Sequence, residues 1–457
     1  MDLIFSSTTQ LAAEIRAGQV SAMEVLEAHL AQIEKRNPAL NAVVIMDIES
    51  ARSQARKADE ALARGEVRGP LHGVPFTLKD AHCTAGMRTT VGFPPLADYV
   101  PLEDGTVMAR LRKAGAVLMG KTNVAMLLGD YQSNNPVFGR TNNPWNVERT
   151  PGGSSGGAAA ALAAGMTPFE IGTDLSSSIR LPAHFCGVFG FKPTENRVPL
   201  TGLFPNPSDA PRSIRIMSSI GPMARTLEDL ALLYKILAGP DGSDTDVQPV
   251  PVGEMADVDL RTLRIAYAPA FPEVPVAAEI RDAVEQLARQ MERSGVIVEK
   301  ATLPELDFIQ DLSSAGELIG MMVAASQPDG KGPPATLAQF CAALQRRDRS
   351  IVAWERFFET WDALLCPASM VAAFPHCNPG TPLNVDGREA DYWMVAAYGT
   401  VFNYSGHPAA VLPYKIDGDG LPIGLQVVGK RWDDARLLGI ARALTPLIGG
   451  FQRPAGY

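Results

Sequence analysis

Two clusters of small residues stand out between positions 152 and 180. They are Gly152-Gly153-Ser154-Ser155-Gly156-Gly157 and Asp174-Leu175-Ser176-Ser177-Ser178-Ile179-Arg180. Small residues let backbone N–H groups approach a ligand without side-chain obstruction. A serine hydroxyl among them can attack an electrophilic carbon, provided a neighbour removes its proton. Other chemistries share parts of this pattern. A flexible linker has such a composition, but the Ala-rich run behind it reads as a buried helix, which linkers do not usually open. A phosphate cradle at a helix N-terminus is a second reading, yet the P-loop needs Lys-Ser or Lys-Thr after the glycines, and neither is present. Gly152-Gly153-Ser154-Ser155-Gly156 also matches G-x-S-x-G, the nucleophile elbow. That elbow follows a strand, whereas residues 142–151 are rich in turn formers. Among the histidines, His407 before Pro408 is the one late candidate for a partner, so the elbow reading is weak.

The flanking sequence shows what must hold these clusters. Residues 74–80 and 116–120 read as short buried strands, with a helix over 104–114 between them. Ser21 and Glu24 form a capping-box pattern ahead of a helix that Asn37-Pro38 is expected to end. Residues 129–157 are dominated by Asn, Pro, Ser and Gly. So long an irregular stretch inside a compact region is usually functional. Further strands are expected at 169–172, 187–192, 263–267, 296–300, 409–412 and 423–428. Helices are expected at 276–294 and 433–447, with a mostly helical 305–361 interrupted at 328–335. Alternation of this kind argues for an α/β sheet with helices on its faces.

Composition narrows the function classes. The 457 residues are 46% apolar and 20% charged, enough to bury a sizeable core. Lys plus Arg number 41 against 50 Asp plus Glu, a net charge of −9. That balance argues against nucleic acid or an anionic membrane as the main partner. Five scattered cysteines, with no C-x-x-C pair, suggest a reduced cytoplasmic protein without a structural zinc site. The start Met1-Asp2-Leu3-Ile4-Phe5 has no signal-peptide character. No apolar run reaches the roughly 18 residues of a spanning helix.

Several long motifs, in order, carry a resemblance. Upstream stand Gly73-Val74-Pro75-Phe76-Thr77-Leu78-Lys79-Asp80, Gly120-Lys121-Thr122-Asn123 and Asn143-Pro144-Trp145. The two small-residue clusters follow, the second continuing through Pro182-Ala183-His184-Phe185-Cys186-Gly187-Val188-Phe189-Gly190-Phe191-Lys192-Pro193-Thr194. Downstream stand Asn403, Gly406-His407-Pro408, Pro413 and Gly420-Leu421-Pro422-Ile423-Gly424-Leu425-Gln426. With these the chain resembles the amidase signature family over nearly its whole length, most weakly at about 241–400. The resemblance implies one domain over 1–457, with a helical substrate-pocket subregion at about 301–400. Its fold would be a mixed central sheet of about ten or eleven strands, covered by helices on both faces.

The resemblance also implies a Ser–cis-Ser–Lys triad. Lys79 would be the base, Ser154 the bridging serine and Ser178 the nucleophile. A lysine serves as a base only when neutral, so burial must lower its pKa. Lys79 ends an apolar run, which suits burial, although on local sequence alone a lysine at the exposed end of a strand is the commoner case. Asp80 would oppose this, but adjacent side chains on a strand point to opposite faces. The N–H groups of Leu175, Ser176, Ser177 and Ser178 would hold the oxyanion, although the family commonly has Gly-Gly where this chain has Ser176-Ser177. Ser155 would either support the site by hydrogen bonding or cap the following helix. Asp174 and Arg180 would pair beside the loop, or else form an ordinary surface ion pair. Leu128, with Tyr131 near it, would border the acyl channel. Residues 201–212 could form a lid. Met321, Met322, Phe340 and Leu344 could line the pocket or fill core.

The expected activity is hydrolysis of C–N bonds in neutral apolar or aryl amides through an acyl-serine, with water as the second substrate. The serine-rich loop also suggests the aryl-acylamidase and urethanase branch, hence carbamates and an ester side activity. No metal or cofactor is expected, and the chain would be a monomer or homodimer. The alternatives are the A subunit of a tRNA-dependent amidotransferase and a catalytically silent binding protein on the same scaffold.

Overall fold

The computed structural model describes residues 2–204, 214–325 and 335–457. Eleven strands matter to the site, and they form two sheets. The first holds β1 (Val43–Met46), β2 (Pro75–Lys79) and β3 (Val117–Thr122) in the order β1-β3-β2. β2 lies parallel to β3, and β1 antiparallel to it. The second sheet has eight strands: β4 (Phe169–Asp174), β5 (Phe189–Lys192), β6 (Ser219–Ala224), β7 (Arg264–Tyr267), β8 (Ile297–Lys300), β9 (Ala363–Pro367), β10 (Ala409–Ile416) and β11 (Pro422–Gly429). Their order is β8-β7-β9-β11-β10-β5-β6-β4. β7 is parallel to both β8 and β9, while the other pairs are antiparallel, so the sheet is mixed. The expected α/β architecture is therefore present, with eight strands in the main ladder and three in an adjoining one.

The two ladders meet where β2 runs beside β4. No backbone ladder joins them. Thr77 N–H instead donates to the Thr167 hydroxyl at 3.0 Å, and Thr77 Oγ1 donates to Glu170 Oε1 at 2.5 Å. Phe76 and Phe169 stack across the same line, with centroids 5.0 Å apart and planes 7° from parallel. The helix Gly156–Ala163 is buried at every residue and packs on strands of both ladders. Its run of alanines allows that close approach, since a larger side chain would push the sheets apart.

The helix over Ala22–Leu40 carries the expected capping box at Ser21 and Glu24 but runs through Pro38. A proline in the last turn forfeits a single N–H bond. The helix stops instead at Asn41, in the left-handed conformation, with Asn37 Oδ1 accepting from the N–H groups of Ala42 and Val43. The helical region resolves into Phe308–Ala325 and Leu337–Thr360. Of the expected lid at 201–212 and the break at 328–335, residues 205–212 and 328–334 lie outside the described residues. Among the described residues no helix is long and apolar enough to cross a membrane.

Candidate active site

Lys79 closes β2 and is fully buried. Its Nζ lies 2.7 Å from each of three hydroxyls, those of Ser154, Ser155 and Thr173. Burial lowers the lysine pKa to about 7, against the opposing pull of the Asp174 and Glu170 carboxylates. Glu170 is itself held up near 8 by burial, which weakens that pull around neutral pH. Asp80 does not contribute. It sits on the other side of the strand, accepting from Thr90 N–H at 3.0 Å and Thr90 Oγ1 at 2.5 Å. The alternation expected of a strand thus separates the amine from the carboxylate next to it.

Charge decides how the three hydroxyls are used. An ammonium donates three hydrogen bonds, whereas a neutral amine donates two and offers one lone pair. Ser155 Oγ is within reach of the Thr173 carbonyl at 3.5 Å, to which it can only donate. That leaves Ser155 free to accept from Lys79. When the amine is neutral, its lone pair can take the proton of Ser154.

The loop bearing Ser154 is held by backbone contact. The Gly153–Ser154 peptide bond is cis. A Cβ on Gly153 would lie 2.5 Å from the Asp130 carbonyl oxygen and 2.7 Å from Gln132 N, so no side chain fits there. Ser133 Oγ accepts from Gly156 N–H at 2.8 Å and lies 3.1 Å from the Gly152 carbonyl, to which it donates. Ser155 precedes the Gly156–Ala163 helix, but its side chain makes no capping bond and is directed to Lys79.

Ser178 stands on the loop between β4 and the helix Arg180–Cys186 and is 7% exposed. Its carbonyl accepts from Ser155 N–H at 3.3 Å, which draws the two loops together. Among the described residues its Oγ has no hydrogen-bond partner, so the Lys79–Ser154 link is made and the Ser154–Ser178 link is not. Hydroxyl contacts at a catalytic centre commonly close only when substrate is bound. The N–H groups of Leu175, Ser176 and Ser178 also lack partners among the described residues. Ser177 departs from the expected set, because its N–H donates to Asn403 Oδ1 at 3.1 Å and is not available to a ligand.

The serine at 177 keeps a glycine-like backbone, with φ of 66°. Its side chain is accommodated because Gly399 faces it: a Cβ at 399 would collide with Ser177 Oγ. Among the described residues that buried hydroxyl has no partner. Below the loop, Asp174 and Arg180 are fully buried rather than a surface pair. Asp174 accepts from Arg180 Nη2 at 2.9 Å, Arg180 Nε at 3.0 Å and Ile179 N–H at 3.1 Å. The guanidinium pulls this carboxyl down to about 2 against the effect of burial.

Thr173, Asn403 and Gln426 join the site although local sequence gives none of them a role. Asn403 Nδ2 donates to the Asp174 carbonyl and side chain, both at 2.9 Å, and its Oδ1 accepts from Arg180 Nη2 at 2.5 Å. Gln426 accepts from Arg180 Nη1 at 2.7 Å. Asn403 and Gln426 stand in the downstream motifs, a signal for presence but not for purpose. Leu128 lies half-buried in the kinked turn Met126–Leu128, with φ of 60°, two residues before Asp130. Leu175 joins a small apolar cluster with Ile216, Ile319, Met321, Phe340 and Leu344, all of them partly buried. Met322 is buried.

The Amidase family model matches residues 24–335 and 333–438. The A subunit of the glutamyl-tRNA(Gln) amidotransferase of Alkaliphilus metalliredigens is 31% identical over 486 residues, spanning 96% of each chain. Its counterpart from Chloroflexus aggregans is 34% identical over 473 residues, spanning 94% of this chain and 93% of the relative. Among solved structures, a bacterial aryl acylamidase of the amidase signature enzymes superposes with a TM-score of 0.85 at 28% identity, covering 97% of this chain and 96% of that one. A 6-aminohexanoate cyclic dimer hydrolase complexed with substrate gives 0.84 at 28%, covering 100% and 99%.

Proposed function

The chain belongs to the Amidase family, and from that premise we propose that it cleaves an amide C–N bond through a covalent acyl-enzyme on Ser178. The observation that carries this reading is the buried Lys79 amine, 2.7 Å from Ser154 Oγ, with its pKa brought to about 7. Neutral Lys79 takes the Ser154 proton while Ser154 takes that of Ser178. Ser178 Oγ then bonds to the substrate carbonyl carbon, and the carbonyl oxygen gains the negative charge. The N–H groups of Leu175, Ser176 and Ser178 stabilise that oxygen. The proton returns through Ser154 to the leaving nitrogen, the C–N bond breaks, and water repeats the sequence on the acyl-serine. Asp174, Arg180 and Asn403 act by fixing the loop that presents Ser178.

Two finer readings differ in substrate. In the first, a stand-alone hydrolase takes neutral apolar or aryl amides and, by the same nucleophile, carbamates and esters. The partly buried apolar set around Leu175 supports it, since it offers no charge to a substrate at the loop. In the second, the chain serves within a tRNA-dependent amidotransferase and works with partner subunits. The full-length similarity to the A subunits of such enzymes, at 31% and 34% identity, weighs for this reading over the 28% shared with the aryl acylamidase. The purified chain alone, offered an anilide and glutamine in parallel, separates them. Release of aniline without partners supports the first. Inertness toward the anilide, with glutamine hydrolysis that rises when partner subunits are added, supports the second. Survival of both activities in Ser178→Ala refutes the acyl-serine itself.

A further inference from the structure

The Ser176 hydroxyl lies in a chain of three. Tyr131 OH and Ser176 Oγ are 2.7 Å apart, Ser176 Oγ and Thr400 Oγ1 2.6 Å, and Thr400 Oγ1 and the Ala396 carbonyl oxygen 2.9 Å. The end of the chain sets its direction. A carbonyl oxygen only accepts, so Thr400 gives its single proton to Ala396. Thr400 must then accept from Ser176, and the phenol, which reaches both hydroxyls, gives its proton to one of these two acceptors. The phenol is left with no proton to offer and with a lone pair still unused.

That oxygen is tied to the loop that carries Ser178. Ser176 is two residues from Ser178 on the same loop, and the Tyr131 backbone lies against Gly153, whose Cβ position is 2.7 Å from Tyr131 C. Tyr131 therefore bridges the loop of the bridging serine and the loop of the nucleophile. Its ring is packed by Tyr392 and Trp393, with centroids 6.2 and 5.8 Å away, which limits its movement.

We infer that the Tyr131 phenol oxygen is a hydrogen-bond acceptor for the N–H of the scissile bond, making Tyr131 a specificity-determining residue for amides and carbamates that carry that N–H. Ser176 and Thr400 are positioning residues that hold the phenol in its acceptor state. The inference rests on the acyl-serine reading above. An ester, with a lone pair where the amide has its N–H, meets lone pair against lone pair at this point and is disfavoured.

The test uses the full chain with 4-nitroacetanilide and 4-nitrophenyl acetate, and the readout is the ratio of their kcat/KM values. Rates are normalised to the sites that a sulfonyl fluoride labels, so misfolded variants do not count. Tyr131→Phe should lower the anilide-to-ester ratio at least tenfold. Ser176→Gly should also lower it, because the freed phenol proton can then approach the ester oxygen. Thr400→Val, close in shape, should act in the same direction as Ser176→Gly. Equal loss on both substrates in Tyr131→Phe would mean a purely structural role and overturn the inference. So would wild-type turnover of the ester without the anilide. Undiminished hydrolysis of both substrates by Ser178→Ala would instead remove the acyl-serine reading beneath it.

Discussion

Replacing Lys79 by methionine should abolish activity and change the stability of the folded chain in a pH-dependent way. The amine has a pKa of about 7 when folded and 10.5 as an ordinary lysine. The unfolded chain therefore holds an extra proton between those limits, and the wild type is penalised for burying the amine. The penalty is complete below pH 7 and fades as pH rises toward 10.5. Linkage puts it at about 5 kcal/mol at pH 6 and about 2 kcal/mol at pH 9. Lys79→Met escapes it but strands the Ser154, Ser155 and Thr173 hydroxyls, at roughly 1 kcal/mol each. That second term is nearly independent of pH, so it cancels when the two pH values are compared. The stability of the variant relative to wild type should fall by about 2–3 kcal/mol between pH 6 and pH 9. Urea unfolding of both proteins across this range measures it. Repeating the pair in a Glu170→Gln background removes the titration of that neighbour. A relative stability that does not change with pH would refute a neutral buried lysine, and with it the proposed base.

Wild-type kcat/KM should rise about tenfold from pH 6 to pH 8 and then level, as an amine titrating near 7 loses its proton; an acidic optimum would exclude Lys79 as the base. Ser178→Ala should lose all labelling by a sulfonyl fluoride and at least about a thousandfold in turnover, read by mass spectrometry and steady-state rates. Asp174→Asn leaves the buried Arg180 without its counter-charge and should destabilise by about 3–5 kcal/mol, measured as a lower urea midpoint. Ser177→Gly removes a left-handed serine and a buried hydroxyl with no partner among the described residues, so its midpoint should rise, by about 1 kcal/mol in stability; an unchanged or lower midpoint would show that Ser177 carries no such strain.

Local pattern was enough to place Lys79 at the end of a strand and Asp80 on the opposite side, because side-chain alternation is a property of a few residues; the burial of the lysine itself was not legible there. The order of motifs was enough for a mixed sheet and for bringing Ser154 to Lys79. Features built from distant segments were not legible. Asn403 reaches Asp174 across 229 positions, and Gln426 reaches Arg180 across 246. The depth of the Asp174–Arg180 pair likewise depends on what folds over it. Pro38 failed as a stop signal because, in the last turn, an αL cap at Asn41 outweighs one missing bond. The Ser176-Ser177 departure was visible in sequence. That the Ser177 N–H turns to Asn403 and that the Ser176 hydroxyl is shared with Tyr131 follow only from torsions and neighbours.

Lys79, the proposed base, ends a strand of one ladder, and Ser178, the proposed nucleophile, follows a strand of the other; the two strands share no backbone bonds along their line of contact. Their separation is thus governed by what is wedged between β2 and β4, chiefly the Phe76–Phe169 stack and the Thr77–Glu170 contact. Such a joint resists shear less than a continuous ladder would, so the spacing of the reacting atoms can be tuned from well below the pocket. Trimming an aromatic ring there would alter turnover while leaving every group that meets the substrate in place, and laboratory evolution of new rates on this scaffold should find its changes along that buried line.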